Sequence, residues 1–401
     1  MELKKIHISD IGKIVTGKTP RTSVAENYDG YIPFLTPSDD LSHKSAPKTT
    51  KTLTEQGLNE VRNCLLPSRS ICVSCIGSDL GKVVMTKEPT VTNQQFNSII
   101  PNKNFNADFV YYFMTLVGRE LNYLSKTSTA VPIINKSSFS NYEIEVPDLE
   151  TQNRIASILS SIDSKIELNR RINDNLEQQA QALFKSWFVD FEPFRGGEFV
   201  DSELGLIPKG WRVVSLGEVT KQITEKVGNR EDVTVLSPIN SGELVLSEEY
   251  FTKQVFSKDL SKYLIVNPLS FAYNPARINI GSIGLNTFDF VGCVSPVYVV
   301  FECEPNYQYF FDFFKRTAMF KDEVALRAIG GVRQSLGYND LSLIKTIYPT
   351  SDVVVEFNNL YLKMKEVMIK NTDQNEKFIS LRDSLLPKLM SGELKINEFN
   401  C

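Results

Sequence analysis

Histidine is nearly absent: His7 and His43 are the only two in 401 residues. Catalytic triads and metal centres built on imidazole therefore have almost no material. Six cysteines at irregular spacing do not form a disulfide framework. They read as free thiols of a reducing cytoplasm. No apolar run approaches the roughly 20 residues that a bilayer demands; Val297–Phe301 is among the longest. Met1–His7 holds no apolar signal core. A bulk charge of one sign is missing too. The net charge is −4, and segments 1–149, 150–200, 201–351 and 352–401 carry +1, −2, −2 and −1. Any polyanion site must come from local side-chain placement. What remains is 42% hydrophobic and 23% charged. That is a folded chain, long enough for two or three domains.

The chain is written twice. With a shift of 202, Pro349 falls on Pro147, Asn371 on Asn169, Asn375 on Asn173 and Leu385 on Leu183. Upstream the shift is near 200, and Ser270–Asn274 matches Ser70–Ser74. A repeat this long is a duplicated domain, not a solenoid unit. Each copy opens with about 140 residues of short apolar runs broken by Gly, Pro, Asn and Ser, among them Ile32–Leu35, Ser70–Ile76 and Val291–Phe301. These read as strands and turns. Helical stretches follow at Phe109–Tyr123 and Tyr307–Ala328, and each copy closes on a long helix.

The closing helices carry the sharpest periodicity. Ile155, Leu159, Ile162, Ile166, Asn169, Asn173, Leu176, Ala180, Leu183 and Trp187 alternate four and three apart. The second copy repeats the spacing from Phe357 to Leu389. This is the seam of a coiled coil, whereas an ordinary amphipathic helix has a wider, drifting stripe. Helix one would leave head one and arrive at head two. A pseudo-two-fold repeat then requires an antiparallel pair, with Met1 and Cys401 at one end. Asn169 and Asn173 should face Asn371 and Asn375, setting the register at some cost in stability. Replacing Asn169 and Asn371 by Leu should raise the melting temperature. At 1.5 Å per residue, Glu150–Phe188 makes a rod of about 58 Å. The expected fold is α+β: two similar α/β heads, residues 1–149 and 196–351, separated by an antiparallel two-helix coiled coil of residues 150–195 and 352–401.

Catalytic motifs fail on context. Gly12–Thr19 fits the G-x-x-x-x-G-K-[ST] phosphate loop, but Pro20 follows at once, no helical face succeeds it, and the second copy lacks it. Cys72 and Cys75 resemble half of a zinc site, yet a strand would point them to opposite faces, which favours core cysteines. Asn274-Pro275-Ala276-Arg277 lacks the second proline and the aromatic of an amino-methyltransferase motif. No cofactor is expected. The enzyme reading that competes is a phosphate-loop ATPase, tested by Lys18→Ala.

Polar loop residues are the remaining chemistry. The first copy offers Lys18, Thr19, Arg21, Ser78, Lys82, Asn93, Gln94 and Gln95. The second offers Asn274, Arg277, Asn279, Arg327, Arg333 and Gln334. Arg and Lys pair with guanine, and Asn and Gln with adenine, in the major groove. The alternative role for each is to cap turns and solvate loops.

Longer stretches bear a family resemblance. They include Val146–Gln152, Ile155–Leu159, Asp163–Asn169, Ala182–Phe194, Glu203–Trp211 and Leu381–Leu394. In these the chain resembles the specificity (S) subunit of type I restriction-modification systems. The resemblance implies two target-recognition domains, each reading half of a bipartite site in double-stranded DNA, with the coiled coil fixing the gap. It implies two methyltransferase (M) subunits for adenine N6 chemistry, motor-nuclease (R) subunits for cleavage, no membrane and no active site of its own. Trp187, Phe188, Phe191, Leu386 and Lys388 are candidate partner-docking residues, with core packing as their other reading. A protein-binding adaptor or inhibitor that ignores DNA is the rival function.

Overall fold

The computed structural model describes residues 2–45, 48–77, 79–126, 133–251, 256–327 and 335–394. The chain divides into two compact units: Met1–Arg171 with Lys370–Cys401, and Ile172–Ile369.

In unit 1 a four-stranded antiparallel sheet runs in the order Gly12–Thr16, Phe96–Pro101, Ile71–Ser74, Val83–Met85. A second sheet places Tyr28–Leu35 between Lys51–Leu53 and Val91–Thr92, the latter pair being parallel. Lys4–His7 pairs with Glu143–Val146. Ile71–Ser74 is buried along its whole length, because Ile71 and Val73 face one apolar cluster and Cys72 another.

Unit 2 follows the same order with Thr220–Ile223, Val299–Cys303, Phe271–Tyr273 and Ile283–Leu285. Its second sheet again holds a parallel pair, Thr234–Pro238 with Gly292–Val294, and Arg212–Ser215 pairs with Lys345–Tyr348. This second sheet gains the strand Leu264–Val266, where unit 1 has an isolated bridge between Leu66 and Thr90.

The first long helix spans Leu149–Phe188 and the second Ser351–Ser391. The Asp148 carboxylate caps the first by accepting the Thr151 amide at 2.8 Å. In unit 1, Asp163 meets Arg382 and Asn169 meets Asn375. In unit 2, Asn173 meets Met368 and Phe188 meets Phe357. Within each unit, rising numbers on one helix meet falling numbers on the other, so the segments pair antiparallel. The Asn169 partner is Asn375, so the Leu double substitution belongs at 169 and 375 rather than at 169 and 371.

Two expectations need correction. Near the end of the first helix the seam should use Leu183 and Trp187, but the buried residues are Phe184 and Phe188, 4% and 6% exposed. The stripe widens there because Phe310 and Phe313 of the unit 2 head also pack on it, with Phe184–Phe313 rings stacked at 5.4 Å. The helix expected over Tyr307–Ala328 is two, Gln308–Phe314 and Ala318–Arg327. The Thr317 hydroxyl starts the second by accepting the Phe320 amide at 3.3 Å.

Candidate nucleic-acid interface

In unit 1, two loops form one polar cluster. Gly17 lies so close to the 92–93 backbone that a Cβ there would sit 2.1 Å from the Asn93 carbonyl oxygen. Only glycine allows that approach. The Lys18 amide then donates to Thr92 O at 2.9 Å, and the Thr19 hydroxyl donates to Gln94 Oε1 at 2.7 Å. Asn93 is buried and acts as a brace: its Oδ1 accepts the Gln95 amide at 3.0 Å, and its Nδ2 donates to Gln95 Oε1 at 2.8 Å. Lys18 and Gln94 are exposed. The outward chemistry is thus a Lys and an amide, on a loop held by a buried Asn.

Lys82 reaches the same end of the sheet. Its carbonyl accepts the Ser74 amide at 2.9 Å, and the next amide, Cys75, donates to Gln95 O at 2.8 Å. Gly81, at φ +87°, supports this turn against Gly118, where a Cβ would stand 2.0 Å from the carbonyl oxygen. The Lys82 ammonium pairs with Asp79 at 2.8 Å. Arg21 stands aside: its side chain grips Glu60 at 2.6 Å, and its amide donates to the same carboxylate at 2.9 Å. The Arg21 side chain and then its amide hold Glu60 at about 2. Ser78 lies outside the described residues.

The matching turn of unit 2 follows Phe271–Tyr273. The Asn274 amide donates to Ser282 O at 3.0 Å, and its Oδ1 accepts the Ala276 amide at 3.0 Å. This Asx turn exposes Arg277 and Asn279. Arg327 lies elsewhere, at the end of helix Ala318–Arg327, and pairs with Glu323 at 2.9 Å. Arg333 and Gln334 fall outside the described residues.

The proposed docking residues are mostly interior. Phe188 is 6% exposed and packs on Trp211, Phe310 and Phe357. Trp187 and Phe191 lean on the same core. Leu386 is 2% exposed in the unit 1 core, and only Lys388 faces outward. The first five residues of the phosphate-loop match are a strand: the Gly12–Thr16 backbone is paired with Phe96–Pro101. Cys72 and Cys75 sit in different clusters, and burial pushes them up to about 12 and about 11. Both are thiols at neutral pH.

Sequence reasoning missed a cluster in unit 1 between the head and the long helices. Lys44 donates to Tyr112 OH at 2.9 Å and Ser160 Oγ at 3.0 Å and pairs with Asp108 at 2.9 Å. Arg382 pairs with Asp163 at 2.9 Å. Burial draws Asp108 upward, but Lys44 and Arg69 outweigh it and leave its carboxyl below the ordinary range. Arg382 occupies a seam position, and a charge inside an apolar repeat was the available signal.

Residues 1–178 match the family model described as type I restriction modification DNA specificity domain. The type I restriction enzyme MjaIX specificity subunit of Methanocaldococcus jannaschii is 29% identical over 99% of this chain and 94% of its own length. The HindI specificity subunit of Haemophilus influenzae is 35% identical over 42% of this chain and 38% of its own. A crystal structure of the S subunit from M. genitalium superposes with a TM-score of 0.51 at 14% identity, covering 97% and 96% of the two chains. That likeness concerns the fold. Among the described residues, no helix is long and apolar enough to cross a membrane.

Proposed function

Because the chain belongs to the family of type I restriction-modification specificity subunits, we propose that it is the non-catalytic reader of a bipartite DNA site. Head 1 (residues 1–149) and head 2 (196–351) each read one half. The helical segments 150–195 and 352–401 form the antiparallel coiled coil that fixes the gap. Two M subunits dock on this frame and methylate adenine N6, and R subunits join for cleavage in the cytoplasm.

The observation that carries this reading is the repeated strand order. Unit 1 and unit 2 use the same four-stranded sheet and end the corresponding strands, Ile71–Ser74 and Phe271–Tyr273, in different polar turns. One scaffold bearing two surfaces suits one protein reading two different half-sites. Lys18, Gln94 and Lys82 in the first head and Arg277 and Asn279 in the second are the base-reading candidates that face outward. The adaptor reading has no use for two such divergent turns on one scaffold. Mapping methylated adenines in host DNA, with and without this chain, tests the proposal. A bipartite motif that vanishes with the chain is expected; an unchanged methylation pattern refutes it.

A further inference from the structure

Corresponding clefts of the two units have opposite charge. In unit 1 a cleft of about 610 Å³ lies between the segment after Tyr28–Leu35 and the two long helices. Lys44, Lys87, Arg170, Arg171 and Arg382 line it with His43, against three carboxylates, Asp108, Asp163 and Glu167. In unit 2 the cleft after Thr234–Pro238 measures about 790 Å³. There Asp174, Glu177, Glu243, Glu249 and Asp312 outnumber Arg316 and Lys365.

The inner cations of the unit 1 cleft are already matched: Lys44 by Asp108, and Arg382 by Asp163 and Asp383. The outer ones share theirs. Among the described residues, Glu167 serves both Lys87 and Arg171, each at 3.5 Å, and Arg170 lines the same cleft with Asp40 as its nearby carboxylate. His43 has Asp40 at 3.4 Å. Burial first, and then Arg170, lower the His43 pKa against Asp40 and Glu167; the positive excess of the cleft lies in its lining, five Lys and Arg side chains against three carboxylates. Lys87 also sits on the segment 86–90 that leads through Val91–Thr92 to Asn93–Gln95. A ligand held by Lys87 is therefore connected through a few residues to the loop that carries Gln94.

We propose that Lys87, Arg170 and Arg171 at the mouth of this cleft grip DNA backbone phosphates, clamping the duplex beside the half-site of head 1 and not beside that of head 2. The inference rests on DNA recognition by the heads and adds a sequence-independent anchor on one side only. The acidic cleft of unit 2 repels phosphates, so head 2 depends on its base contacts and on the partner subunits.

The test uses the full chain assembled with its M subunits and duplexes carrying the mapped site. Binding is measured over a salt series for wild type, Lys87→Gln/Arg170→Gln, and Asp174→Asn/Glu249→Gln as the unit 2 control. Two lost phosphate contacts make the slope of log affinity against log salt shallower by about one to two. The expected result is that change with a tenfold or greater loss of affinity, an unaltered methylated sequence and an unaltered melting temperature. The control keeps the wild-type slope. An unchanged slope in the folded K87Q/R170Q complex overturns the clamp. So does loss of M-subunit assembly with DNA binding otherwise intact, which assigns the cleft to protein. The wild-type arm reports separately on DNA recognition itself: a wild-type complex that ignores the site refutes that reading whatever the variants do.

Discussion

The Asn169 side-chain amide donates to Asn375 Oδ1 at 3.0 Å, with each residue only 8% exposed. The pair is fastened on both sides: Asn169 Nδ2 also reaches Gln374 Oε1 at 2.8 Å, and Asn375 Nδ2 reaches the Ile166 carbonyl at 3.4 Å. A buried polar pair in an apolar seam lowers stability and penalises other registers. Asn169→Leu alone strands Asn375 and is expected to cost about 1–3 kcal/mol. Asn169→Leu with Asn375→Leu removes both amides and should melt above wild type, while admitting other helix alignments. Thermal melting of the three proteins checks this. A double variant that melts below wild type contradicts a register role.

Phe188 separates core from docking surface. Its ring lies 5.2 Å from Phe310 and 5.2 Å from Phe357, inside the unit 2 core. Phe188→Ala should destabilise the isolated chain by about 3–5 kcal/mol. Lys388→Ala, at an exposed position, should leave stability nearly unchanged. Denaturant unfolding measures both. A stable Phe188→Ala chain that fails only in assembly would return Phe188 to the docking surface.

The Arg21–Glu60 pair gives a pH signature. Glu60 is held at about 2, below its ordinary 4.5. A depressed carboxyl contributes stability that is full above its unfolded pKa and is lost as pH falls through the folded one. The contribution of this pair therefore fades between about 4.5 and about 2. Glu60→Gln should flatten that part of the stability profile and leave the neutral range almost as it was. Melting temperature against pH shows it. Because Arg21 is engaged, Arg21→Ala should alter DNA specificity less than Gln94→Ala, which is expected to weaken discrimination at one base by about 1–3 kcal/mol.

The chain's net charge of −4 sets another expectation. Non-specific phosphate attraction scales with positive charge presented to the duplex, so the lone chain should bind DNA poorly and gain affinity with M subunits. Fluorescence anisotropy with and without the partners measures the gain. Tight, site-specific binding by the lone chain at physiological salt contradicts it.

Much of the fold was legible in the sequence because its signals are periodic. The long helices follow from the spacing of Ile155 to Ile166 and Phe357 to Met368, and the repeat from Pro147 and Pro349. Non-local contacts left no such trace. The spacing selects Leu183 and Trp187, but the burial of Phe184 and Phe188 depends on Phe310 and Phe313, more than 120 positions away. The site was half legible for the same reason. Composition picked out Lys18, Gln94 and Arg277, but only the folded turn shows that Asn93 points inward as a brace and that Glu60 occupies Arg21. Arg327 stands apart from the turn residues: its partner, Glu323, is one helical turn away on a helix the sequence ran together with its neighbour.

The most direct measurement is a head exchange. Residues 1–149 are replaced by the corresponding head of another specificity subunit, and methylated adenines are mapped in cells that supply the M subunits. Two independent readers on one frame require a new sequence in one half of the methylated motif, with the other half and the gap kept. A motif unchanged in both halves, or changed in both, contradicts it.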